Sequence, residues 1–308
     1  ENTMEHTQTM DVTTNRRRLQ GIVFSTLSAA SFGIAPIFAR IAYNDGLNTT
    51  TAMFLRFAIS GTIMAVLFQW QGGRWPQGRN LLVLLLMGGV CYLGQSFCYF
   101  SALHYASAGL VALLLYLYPA IVTVILALIT RSRLGPVRTA ALVAALAGTA
   151  LTVSGSLQGS LLGVVLGTAA ALIYSTYIVL GDRMLGGESV LGSTTVILLT
   201  AAAVYGIIIA WQGPSWPASA AGWGAATAIA LTTVGGVFGF LAGIQRLGAV
   251  DASTISTLEP VMTIVLAAVF LEEFIRLRQI FGGLIILAAV ILLIRRGVPK
   301  YIQTTDPL

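Results

Sequence analysis

The chain has 308 residues, of which 56% are apolar and only 9% charged, and its mean hydropathy is +0.86. A soluble domain carries about 25% charged residues, so a water-soluble globule is excluded. The net charge of +6 is then a matter of membrane orientation rather than of nucleic-acid binding.

Runs long enough to cross a hydrocarbon core of about 30 Å as helices are expected near 19–43, 50–70, 81–103, 108–130, 137–154, 161–181, 190–211, 223–243, 253–271 and 277–294. Ten such helices occupy roughly 200 residues, which leaves short connections and no extramembrane catalytic domain. In the first span Ser28, Ser31 and Phe32 precede Pro36. A proline inside a helix lacks a donor and frees the carbonyl one turn earlier, here those of Phe32 (by Pro36), Leu115 (by Pro119) and Ser256 (by Pro260). In lipid such a carbonyl is tolerated where it faces protein or water, so each proline marks either a hinge beside a cavity or a kink satisfied by packing.

The second span contains Arg56, whose long stem suits snorkelling or a structural ion pair better than contact with a solute. In the third, Tyr92, Gln95, Ser96 and Tyr99 recur at i, i+3, i+4 and i+7 and form one polar face. That face either lines a site for an amphipathic solute or bonds between helices. Tyr116 and Tyr118 in the fourth span and Tyr174 and Tyr177 in the sixth add rings and hydroxyls at comparable depth, and Phe238 in the eighth joins them. Gly235, Gly239 and Gly243 stand four apart in the eighth span, a spacing for close helix contact or for sliding during gating. Glu259 lies directly before Pro260, where a charge costs about 2.5 to 3.5 kcal/mol unless a partner, water or a proton compensates it. It either meets a substrate amine, takes up a proton, or bonds backbone donors at the kink.

Placing both termini in the cytoplasm puts 13 of the 17 basic residues on the inner side and three on the outer, with Arg56 within the membrane. Trp70 and Trp75 flank one loop, and Trp211, Trp216 and Trp223 another, as interfacial anchors. Cys91 and Cys98 lie seven apart on one helix, too far to bridge each other. Arg40 and Asp182 are expected at helix ends on opposite faces, and Glu272, Glu273, Arg276 and Arg278 in a mixed-charge outer loop.

A shift of 142 residues superposes Gly21, Val23, Thr26 and Ala29 on Gly163, Val165, Thr168 and Ala171, with Phe32 meeting Tyr174. A shift of 141 brings Leu117, Pro119 and Val124 onto Leu258, Pro260 and Val265. The agreement of the two shifts argues for duplication. The expected organisation is a polar tail over 1–15, repeats over 16–155 and 160–297, and a polar tail over 298–308. Five spans per repeat is an odd number, so the second repeat threads the membrane upside down. Inverted repeats bind solutes near the midplane, where the halves meet, and supply two related gates for alternating access. An intramembrane enzyme would need converging catalytic groups, and Glu259 alone lies at depth. No cofactor and no metal site is expected.

Leu55-Arg56-Phe57, Tyr118-Pro119, Leu258-Glu259-Pro260 and Leu271-Glu272-Glu273, set in ten spans, resemble the drug/metabolite transporter superfamily, specifically its EamA-type exporters. The first repeat departs from that pattern in having Arg131 and Arg133 where an acidic ending is usual. The resemblance implies an all-α integral membrane protein of the bacterial inner membrane, with ten helices in two inverted repeats around a central cavity. Its expected role is export of small amphipathic metabolites, with amino acids the favoured cargo and hydrophobic cations the alternative. The partners implied are the bilayer, a small solute and protons at Glu259, without nucleic acid, and a monomer suffices.

Overall fold

The computed structural model describes residues 2–102, 104–106, 108–131, 135–152, 159–185, 187–270 and 276–295. All of its secondary structure is helical apart from one isolated bridge, Ala106 to Gly159. The helices are α1 (Asn2–Asn44), α2 (Thr49–Trp70), α3 (Gly78–Leu86), a π-helical turn (Met87–Tyr92), α4 (Leu93–Ala102), α5 (Ala108–Leu115), α6 (Tyr118–Thr130) and α7 (Pro136–Thr152). The second half has α8 (Leu161–Met184), α9 (Val190–Gln212), α10 (Ala220–Leu247), α11 (Ala249–Ile255), a 3₁₀ turn (Ser256–Leu258), α12 (Glu259–Phe270) and α13 (Leu277–Arg295).

Eight stretches among the described residues are long and apolar enough to cross a membrane, and α7 and α13 are shorter apolar helices. Together they make ten spans. The third span is α3 to α4, the fourth α5 to α6 and the ninth α11 to α12. Side chains that a soluble protein would bury face outward around the bundle, among them Phe97, Leu128, Ile207 and Val269, each about two-thirds exposed or more. The surrounding solvent for these is lipid.

Helix starts follow side-chain chemistry. Asn48 begins α2, its carboxamide oxygen accepting from the Thr51 N–H at 2.8 Å. Ser160, Ser189 and Ser219 do the same for α8, α9 and α10. The turn from α10 to α11 needs Gly248, whose φ of 85° disfavours other residues.

Between helices the decisive residues are small. In lipid, apolar burial does not draw helices together, so close van der Waals approach has to. Cβ atoms added to Gly235, Gly239 and Gly243 would fall 2.7, 2.8 and 2.1 Å from atoms of Ser31, Phe24 and Ser25, so α10 lies against α1 with no room to spare. α7 and α13 meet reciprocally, Gly148 against the Gly282 carbonyl and Gly282 against that of Gly148. A larger cluster built on Phe57, Met64, Tyr177, Ile197 and Leu241 forms the main core.

Candidate functional site

Pro119 and Pro260 act alike. Each is buried, and each is the second residue of a new helix after an interruption, at Tyr116–Leu117 and at the Ser256–Leu258 turn respectively. The Ser256 carbonyl that Pro260 cannot serve accepts instead from the Glu259 N–H within the 3₁₀ turn. Pro36 behaves differently, lying exposed within an unbroken α1. The two breaks bring Tyr116, Tyr118 and Glu259 to one level.

The Tyr116 hydroxyl is within hydrogen-bonding reach of the Glu259 carboxylate, and Tyr99 of α4 is near enough to feel the same charge. Tyr118 is buried, with its hydroxyl near Ser256 and its ring edge-on to Tyr174, centroids 4.9 Å apart. Tyr174 stacks on Tyr177 at 5.9 Å, Tyr177 meets Tyr92 at 5.8 Å, and Tyr92 meets Phe57 at 5.1 Å. An arc of rings therefore runs from Glu259 round to Arg56, whose Nη2 approaches the Tyr92 hydroxyl at 3.5 Å. On the other side, Arg56 lies 6.0 Å from the centre of the Phe32 ring, and the next residue, Gly33, packs against the Glu259 carbonyl.

These contacts form a closed circuit through α1, α2, the third span, the fourth span, α8 and α12. Phe32, Arg56, Tyr92, Tyr99, Tyr116, Tyr174 and Glu259 are half-buried members of it. Gln95 is half-buried one turn along from Tyr99 and accepts a long bond of 3.5 Å from Ser96. Ser96 is buried, in reach of the Tyr205 hydroxyl. Ser31 is half-buried beside Gly235, whereas Ser28 is buried and donates to the Gly236 carbonyl at 2.7 Å, a bond between α1 and α10. Phe238 packs edge-on against Phe24 at 5.8 Å, on another side of α10 from Gly236. Gly235 and Gly239 sit in the α1–α10 seam.

Arg56 does not snorkel. Its Nε donates to the Thr233 hydroxyl at 2.6 Å, and its guanidinium sits 5.3 Å from the Phe57 ring centre, so the side chain crosses toward α10 in the interior. The sequence offered one signal for this, the absence of a nearby acid on its own helix; Thr233, 177 positions away, could not be anticipated. Asp182 is likewise no free helix end: its carboxylate accepts from the Ala249 N–H at 2.9 Å and caps α11. The Arg40 side chain and residues Glu272 and Glu273 lie outside the described residues. Another residue missed from sequence is Asp251, buried at the start of α11 and paired with Arg138 of α7 at 3.1 Å. Cys91 and Cys98 are free thiols.

Ten spans in two oppositely threaded units of five define an integral membrane protein of the inverted-repeat transporter class. A profile described as the EamA-like transporter family matches residues 19–154 and again 161–295, and the chain belongs to that family. One solved structure, described as "Crystal structure of protein", superposes with a TM-score of 0.76 at 21% identity, covering 90% of this chain and 97% of the other. That likeness concerns the fold. No curated protein matches the chain.

Proposed function

We propose that the protein is a secondary transporter that exports small amphipathic metabolites, amino acids above all, across the bacterial inner membrane by alternating access, with both termini cytoplasmic. The observation that carries this reading is the circuit of half-buried aromatic and hydroxyl groups enclosed between the two repeats, with Arg56 and Glu259 as its charged members. Rings pack the apolar part of a solute while a few polar groups orient it. The breaks before Pro119 and Pro260 flank that level and supply bending points for one repeat to rock against the other.

Counterflow in proteoliposomes tests the reading: vesicles preloaded with unlabelled phenylalanine should accumulate the labelled amino acid, and failure across a panel of amino acids overturns amino acid export. Export of hydrophobic cations is the second reading, favoured by a carboxylate among tyrosines. It predicts inhibition by lipophilic cations and none by amino acids. Coupling to protons through Glu259 predicts that Glu259→Gln flattens the dependence of flux on pH; an unchanged profile in the folded variant removes that role.

A further inference from the structure

Arg56 and Glu259 are opposite charges within the membrane, near enough to act on each other. Among the described residues they form no direct ion pair, and what holds them apart is visible. Thr233 and the Phe57 ring draw the guanidinium toward α10 and α2, with the Tyr92 hydroxyl at its tip. Tyr116 bonds the carboxylate where the proline-broken α12 begins. A pair that served structure alone would gain most by closing into a bidentate contact. α1 touches both residues, its Phe32 ring beside Arg56 and its Gly33 against the Glu259 backbone.

We infer that Arg56 and Glu259 are the two poles of a zwitterion site, Arg56 taking the carboxylate and Glu259 the ammonium of one α-amino acid whose side chain lies on the tyrosine arc. The inference rests on the proposed transport of amino acids and assigns their headgroup to two residues. A net-charged solute would leave one of the two buried charges uncompensated, which the low dielectric penalises. A zwitterion adds no net charge and satisfies both, and the tyrosines accommodate an apolar or aromatic side chain without demanding a polar one.

The test uses the full-length protein in proteoliposomes, with displacement of tritiated phenylalanine by phenylalanine, phenylalanine amide and N-acetylphenylalanine. The wild type should bind each analogue about tenfold or more weakly than phenylalanine, since each loses a charge-assisted contact and leaves the charge at one pole facing a neutral group. Glu259→Gln should narrow the discrimination against N-acetylphenylalanine alone, and Arg56→Gln the discrimination against the amide alone. Wild-type protein that takes up phenylalanine yet accepts both analogues equally well overturns the poles and leaves the transporter reading standing. Tighter binding of the amide than of phenylalanine likewise overturns them. Absence of binding by the wild type of phenylalanine and of every other amino acid in the panel overturns both readings. Because the wild type alone gives a decisive pattern, poor folding of a variant does not shelter the proposal.

Discussion

Ser28 and Arg56 illustrate how single side chains settle in this bundle. The Ser28 hydroxyl joins α1 to α10 through the Gly236 carbonyl, and interhelical bonds of this kind contribute about 0.6 kcal/mol in membranes because the unfolded helices find other partners. Ser28→Ala should lower stability by roughly that much in reversible detergent unfolding, with flux nearly unchanged. Asp45, in the turn after α1, accepts from the Ser219 backbone N–H at 2.9 Å, and these bonds to Ser219 hold its carboxyl below the ordinary carboxylate range. The stabilisation is present above the unfolded carboxyl value of about 3.9 and is lost as pH falls through the lower folded value. Asp45→Asn should therefore remove part of the acid sensitivity of unfolding below about pH 4, while wild type and variant keep parallel profiles at neutral pH.

At the scale of elements, the breaks before Pro119 and Pro260 divide the fourth and ninth spans at equivalent positions, and Tyr118 of one repeat occupies the place of Glu259 in the other. Repeat symmetry thus puts an aromatic hydroxyl opposite a carboxylate. Pro260→Ala should permit a continuous helix, and the expected result is slower flux with phenylalanine affinity retained, as measured by counterflow and displacement. The π turn at Met87–Tyr92 has a different cause. Gly88 brings it so close to α9 that a Cβ there would sit 2.5 Å from the Ile197 carbonyl. A strict 3.6-residue period cannot foresee that extra residue, which sets the register at which Tyr92 meets Tyr177 and Arg56. Between α7 and α11, Arg138→Met would strand the buried Asp251 carboxylate, a change that costs about 3 to 5 kcal/mol for a buried pair. The double variant Arg138→Met with Asp251→Leu should recover most of that loss in the same unfolding assay; no recovery would mean the pair holds α7 to α11 by something other than charge.

For the whole molecule, the outer turns on this reading include Ser215, and the inner ones Arg74. Cysteines placed at those two positions, in a chain lacking Cys91 and Cys98, should react with an impermeant maleimide from opposite sides of sealed cells. Labelling of both from one side would overturn the threading. Membrane residence, the ten spans and the five-plus-five inversion are legible in the sequence because the length of an apolar run and the parity of a repeat depend on composition and counting alone. Tyr92, Tyr99, Tyr116, Tyr174 and Glu259 stood out in the sequence because hydroxyls and a carboxylate are costly at such depth, and the structure gathers them on one circuit. The direction in which Arg56 reaches, the burial of Ser28 between helices, the outward face of Pro36 and the Asp251 partnership were decided by tertiary structure. Lipid is the reason: where the surroundings are as apolar as the protein interior, hydrophobicity no longer separates a helix's inner face from its outer one, and only the neighbour that packs there does.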